Sequence, residues 1–472
     1  MFDLSKDLSL LQENHEPTGA QQKSHSGTEK DRRSLDKRIW RLTLPALIEL
    51  LLATLFGMVD MVMVGNVSTE ALTAVGLANQ PIMFAISLFQ ALGTGTMALV
   101  AHFTGTKERQ AASLVLRQTI LLGLFSGTLI SILGIVLAED IVVFMGAEPE
   151  VVGPGTSYFK TVAAGLLFVS VVMGIGAALR GSGDTVTPMR YNLISNLLNV
   201  IGNYVLIYGK LGFPALGVTG AALSTTISRG LAMSMALYAV TRPNAHLSLT
   251  AQRTAWLDLS LIKRILRIGF PAGLEQVALR TGIIEFARTV ATLGTNVFAA
   301  HQIAINVISL SFAPAQAFGM AATTLVGQSL GAKEIDQAER AGLETRRLGI
   351  LVAVPLAIVF FFCGYQIASL YTNDTEVAKL AAGPLKIVAI MQPLQLTQFI
   401  LAGALRGAGD THWPLLSTFI GIWGIRVVLA KIFIGLGFGL IGAWAANFCD
   451  QLFRSIFITI RYNSKRWQRM RI

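Results

Sequence analysis

The chain has 472 residues, 53% of them hydrophobic and only 14% charged, against about a quarter charged in soluble domains, which excludes a water-soluble fold of this size. A net charge of +11 would suit nucleic acid, yet the basic residues gather at the ends of apolar segments, where they orient membrane proteins. The 2 cysteines, Cys363 and Cys449, lie in apolar runs, supply neither a disulfide framework nor a metal cluster, and read as buried free thiols.

Residues 1–38 are rich in Gln, Ser, Lys, Asp and His, lack an apolar core of signal-peptide length, and read as a disordered cytoplasmic tail. Twelve apolar segments follow, near 41–64, 72–101, 113–138, 156–179, 190–209, 216–240, 264–292, 296–330, 345–370, 380–404, 412–434 and 438–460. Each reaches the roughly 20 residues that cross a bilayer core, and several exceed it, implying tilt or protrusion into water. With the amino terminus inside, most Lys and Arg fall in cytoplasmic loops, including a central stretch from Arg229 to Arg267, whereas the outer loops hold Lys210 alone. The prediction is an all-α, multi-pass protein of the cell membrane with both termini cytoplasmic. It comprises a six-helix lobe over 39–240, a linker over 241–263, a second six-helix lobe over 264–462 and a basic tail over 463–472.

The two lobes repeat each other at a spacing of 226 residues without a gap. Pro45, Ala46 and Glu49 fall on Pro271, Ala272 and Glu275, and Gly105, Lys107 and Glu108 fall on Gly331, Lys333 and Glu334. The run Leu179-Arg180-Gly181-Ser182-Gly183-Asp184-Thr185 falls on Leu405-Arg406-Gly407-Ala408-Gly409-Asp410-Thr411. An even number of spans per repeat gives both halves one orientation, related by an axis along the membrane normal and flanking a central cavity. The Arg180, Gly181, Gly183, Asp184 loop and its mate of Arg406, Gly407, Gly409, Asp410 read as structural. Glycine permits a positive-φ turn, and either Asp can cap the next helix.

These loops, together with Val326-Gly327-Gln328-Ser329-Leu330-Gly331-Ala332 and the first span from Pro45 to Glu49 followed by Asp60-Met-Val-Met-Val-Gly65, resemble the multidrug and toxic compound extrusion family, nearest its DinF-like branch. The likeness covers roughly residues 38–462. It implies a secondary antiporter that exports amphipathic, often cationic organic compounds in exchange for protons, with sodium as the alternative ion, and needs no cofactor. Small amphipathic substrates and the lipid bilayer are the partners expected, with a monomer as the working unit and no nucleic acid.

Among ionisable residues Asp60 stands out. It lies about 22 Å along the helix from Pro45, in the outer half of the bilayer. A charge at such depth costs about 2.5–3.5 kcal/mol or more unless neutralised, paired or wetted, and marks a functional site by default. The resemblance makes an acid at this place the coupling residue. Asn192, Asn196, Asn199 and Asn203 share one face of the fifth span and can form an amide network around a carboxyl. Asn192 and Asn196 read as ordinary interhelical bonds, whereas Asn199 and Asn203 read as part of the ion-coupling site. Archaeal relatives carry Asn then Asp four residues apart on this helix, so Asn203 stands in place of a second acid.

Glu49 and Glu275, each one turn after a proline, read as an inner gate or proton route. Glu49 and Asp60 line one face about 16 Å apart. In the second lobe Glu285 and Arg288 are expected to neutralise each other. Sodium-coupled relatives use acids in spans seven and ten, but 387–404 contains none, and Met391, Gln395 and Gln398 instead read as a surface for drug-like substrates. Two alternatives remain: a lipid-linked saccharide flippase, which would show more than twelve spans and a basic groove, and a membrane enzyme acting on lipids, for which the scattered His residues give no ligand spacing.

Overall fold

The computed structural model describes residues 19–242, 247–249 and 257–470, with side chains from Asp31 onward except that of Thr69. The described residues form twelve long helices and no strand. We number them α1 (Gly19–Gly65), α2 (Thr69–Gly105), α3 (Arg109–Val136), α4 (Pro149–Ala164 continued by Leu166–Ser182), α5 (Val186–Tyr208), α6 (Gly217–Thr241), α7 (Leu259–Ala291), α8 (Thr295–Gly331), α9 (Ile335–Phe362), α10 (Thr375–Gly407), α11 (His412–Gly435) and α12 (Gly439–Asn463). Each coincides with one predicted span. Seven are long and apolar enough to cross a membrane by hydropathy alone, and the bent α4 makes an eighth. The remaining four, α5, α6, α7 and α12, carry the buried amides and charges described below.

Local causes of the helix breaks are visible. α4 bends by 41° at Gly165, where the Thr226 hydroxyl of α6 donates to Thr161 O at 2.8 Å and the Gly165 amide turns to Val162 O instead. A side chain inserted into the i→i−4 ladder is a sufficient cause of a kink. α11 relaxes into a π-helical stretch over Ile420–Arg426. There Gly421 lies so close to Asp450 and Arg454 that a Cβ would collide with them. The turns after α2 and α8 repeat down to an unusual detail: Lys107 and Lys333 adopt φ of 63° and 62°.

Four apolar cores fill the molecule, two in each lobe. Near the far face each lobe has a core of its own residues, around Phe89 and Phe159 in the first lobe and around Phe286 and Trp444 in the second. Near the face that carries most of the basic residues, the lobes exchange helix ends. Ile39 and Leu42 of α1, flanked by Leu35, are buried in the second lobe's core, and their repeat mates Leu261, Ile265 and Ile268 of α7 are buried in the first lobe's core. α1 therefore begins well before Arg41. Residues 31–38, expected to be disordered, are helical and tied to α9, with Arg347 donating to Asp36 at 2.8 Å and Arg32 pairing with Glu344 at 3.2 Å.

The linker is shorter than expected, because α7 starts at Leu259 and Leu247 is buried in the first lobe; residues 243–246 and 250–256 lie outside the described residues, as do 1–18. The basic tail also docks. Trp467 is fully buried, stacks on Tyr462 at 4.9 Å between centroids and donates to its carbonyl at 2.7 Å. Neither cysteine is buried: Cys363 is exposed and Cys449 half-buried, and both are free.

Candidate functional site

The repeat builds the same ion pair twice. Arg180 of α4 donates to Glu49 Oε1 of α1 at 2.8 Å, and Asn192 of α5 donates to the same oxygen at 2.6 Å. In the second lobe Arg406 of α10 donates to both oxygens of Glu275 at 2.7 and 2.8 Å, and Thr418, the repeat mate of Asn192, donates at 3.1 Å. The two arginines thus belong to the glutamate sites as well as to their loops. Asp184 caps α5 as expected, accepting from the amides of Val186 and Thr187 at 3.1 and 3.0 Å. Asp410 does not: its carboxylate is taken by Arg461 of α12 at 2.8 Å, a stronger charged partner than a helix amide. Gly183 and Gly409 have φ of 96° and 79°, the left-handed geometry that favours glycine.

Asp60 faces α5 eleven residues beyond Glu49. Asn203 donates to Asp60 Oδ1 at 2.7 Å. The Asn199 amide, oriented so that both its ends meet complementary groups, donates to Asp60 Oδ2 at 2.9 Å and accepts from Thr225 N of α6 at 3.2 Å. Asn199 and Asn203 are 7% and 1% exposed, so the carboxyl is collared by two buried amides. Arg229, read as part of a cytoplasmic loop, lies halfway along α6 and interacts electrostatically with Asp60 and with Tyr158 of α4. Arg229 falls inside the predicted span 216–240, but counting it with the basic residues up to Arg267 put it in the loop.

The lobes meet along α2 and α8. A Cβ at Gly105 would strike the Gln328 carbonyl and one at Gly331 the His102 carbonyl, and these four are exchanged by the repeat. Positions 101 and 327, also repeat mates, face each other directly, as residues on a two-fold axis must. Gln328 donates to Gly181 O at 3.0 Å and Thr324 to Arg180 O at 2.9 Å across the same seam. Following the helix stripe of Ala98, Ala101 and Gly105 towards the far face leads through Gln80, Met83, Phe84 and Gln90, all exposed. Their mates on α8, Asn306, Ser309, Leu310 and Gln316, are exposed likewise. The lobes are sealed at the basic face and parted by a cleft towards the far face. Amides alternate there with apolar side chains, a pattern that spacing along α2 and α8 could have revealed once the seam was known.

Met391, Gln395 and Gln398 do not line that cleft. They are 1%, 1% and 3% exposed, because α10 is wrapped by α8, α9 and α12 inside the second lobe. Glu285 pairs with Lys431 at 2.8 Å rather than with Arg288. No acid of the second lobe mirrors Asp60; its repeat position is Phe286, buried in the core. Asp450, fully buried, is held between Arg426 and Arg454 at 2.5 and 2.9 Å.

The MatE family model matches residues 45–205 and 271–432, the two halves of the repeat. The chain belongs to the MatE family. Among its MatE relatives, "Probable multidrug resistance protein NorM" of Thermotoga maritima is 32% identical over 92% of this chain and 93% of its own. Multidrug resistance protein PmpM of Pseudomonas aeruginosa is 30% identical over 91% and 93%. A MATE transporter crystallised in a bent conformation superposes with a TM-score of 0.85 at 24% identity, covering 92% of this chain and 96% of the other. An outward-facing multidrug resistance MATE transporter superposes with a TM-score of 0.85 at 23% identity over 91% and 96%. The MatE fold accounts for the twelve spans and two lobes, and the protein is a multi-pass membrane transporter.

Proposed function

We propose that this protein is a proton-coupled multidrug efflux antiporter of the cell membrane, working as a monomer with its basic face and both termini in the cytoplasm. The cleft with its alternating amides and apolar side chains suits amphipathic organic compounds, and the relatives named for multidrug resistance support that substrate class. In the conformation described, a seal at the basic face and a cleft at the far face correspond to an outward-open state. The observation that carries the coupling is the two-amide collar around Asp60. An amide can present its N–H to a carboxylate or its oxygen to a protonated carboxyl, so the collar distinguishes the two states of Asp60. A proton taken up by Asp60 from the outside weakens the outward form's hold on substrate, and the same proton leaves to the cytoplasm after the lobes rock. Only such differential interaction lets the ion bias the two conformations.

Asp60→Asn keeps the shape of the side chain and removes the proton site. In everted membrane vesicles the variant should insert normally yet show dye efflux no greater than vesicles without the transporter under an imposed proton gradient. Wild-type efflux from Asp60→Asn vesicles would refute the coupling role.

A further inference from the structure

We propose that Arg229 confines the exchangeable cation at Asp60 to a proton, its guanidinium supplying the positive charge that a metal cation would otherwise bring to this pocket. The inference rests on reading Asp60 as the coupling carboxyl. Thr225 of α6 is hydrogen-bonded to Asn199, which binds Asp60, and Arg229 stands one turn further along the same face of α6. Its Nη1 is buried without a hydrogen-bond partner, and so is Asn203 Oδ1. The charge inventory around the carboxyl is short. α4 contributes Tyr158, buried and interacting electrostatically with the carboxyl, with Lys160 exposed; α5 brings amides; α6 brings Arg229 alone. The α2 sequence has no charge between Glu70 and His102, and α3 none between Arg117 and Glu139.

Two consequences follow from donor chemistry. Hard metal cations are held by several oxygen acceptors, whereas the two hydrogen bonds that reach Asp60 here come from donors, the amide nitrogens of Asn199 and Asn203, with the Arg229 guanidinium interacting electrostatically beyond them. A proton asks for a single lone pair and no coordination shell. When Asp60 releases that proton, the carboxylate it leaves has a cationic neighbour, so the pocket passes through no uncompensated buried anion. Asn203 completes the arrangement, because an acid there would restore the acceptors a metal needs.

The test uses the full chain in proteoliposomes, with ethidium as the transported probe and carbodiimide modification of the Asp60 peptide read by mass spectrometry. Wild type should export ethidium under a proton gradient and not under a sodium gradient. Its Asp60 labelling should be lost at alkaline pH and unaffected by NaCl. The pair Arg229→Met with Asn203→Asp should gain sodium-driven export and lose labelling in NaCl. Arg229→Lys, which keeps the charge, should behave as wild type. Sodium-driven export by wild type, protection of its Asp60 by NaCl, or a folded Arg229→Met/Asn203→Asp protein indifferent to sodium would each overturn the proposal. If the double variant does not reach the membrane, Arg229→Gln decides, since sodium must then slow its labelling. Asp60→Asn in the same vesicles separates the two ideas: undiminished proton-driven export there sinks the coupling role itself, whatever Arg229 does.

Discussion

Glu49 and Glu275 show how a residue can be placed in the right site for an incomplete reason. Their repetition pointed to a shared architectural role, but the partners, Arg180 and Arg406, were read only as loop residues. The missed signal was the recurrence of opposite charges: each half repeats one glutamate and one arginine within or at the end of apolar spans, and the structure pairs Glu49 with Arg180 and Glu275 with Arg406. Breaking a buried pair strands a charge. Glu275→Ala should therefore cost about 3–5 kcal/mol, while Glu275→Gln combined with Arg406→Met should recover most of it, as thermal unfolding in detergent would measure. Arg280 makes a different point. It is exposed on the α7 stripe that includes Gly269 and Gly273, which pack on Ala91 of α2, so it lies towards the parted lobes. A positive charge there opposes cationic substrates, and Arg280→Gln should raise efflux of a cationic dye relative to a neutral one, compared in the same vesicles.

At the scale of the element, apolar runs marked all twelve helices, although four of them carry too many polar groups to qualify by hydropathy alone. Those runs could not show how the spans deform. The bend in α4 comes from a hydroxyl on another helix, and Thr226→Val should straighten it and slow transport, with spin-label distances across Gly165 reporting the angle. The π-helical stretch of α11 depends on Gly421 leaving room for Asp450 and Arg454, residues that no local pattern in α11 announces. α10 misled for a related reason. Its Met391, Gln395 and Gln398 read as a surface for drug-like substrates, yet here they are enclosed by neighbouring helices, and Gln392 beside them bonds Ser311 at 3.2 Å. Asp60 was legible because a lone acid in an apolar span has few explanations. Arg229 was not, since its charge groups it with the basic cytoplasmic cluster that follows, although it lies in the middle of the apolar segment 216–240.

At the scale of the whole molecule, the two-fold repeat was evident from sequence, but its contact surface was not, for small residues such as Ala101 and Gly327 say nothing until two helices are brought together. These positions offer a direct test of lobe rocking. A Cβ at Gly327 would stand 2.8 Å from that of Ala101, so Gly327→Leu should insert normally, keep the seam from closing and abolish efflux. Undiminished efflux by Gly327→Leu would mean that the seam does not have to close during transport. The exchanged ends of α1 and α7 carry a further consequence. Each half lends the root of its first helix to its sibling and borrows the corresponding root in return, so neither is self-sufficient. Two separately translated halves, divided within residues 250–256, should rescue one another inside one cell, and each made in isolation should be destroyed by proteases. An ancestor made of single halves would have had to trade those roots between two copies, which makes the modern fusion a way of guaranteeing that the trade is always with the right neighbour.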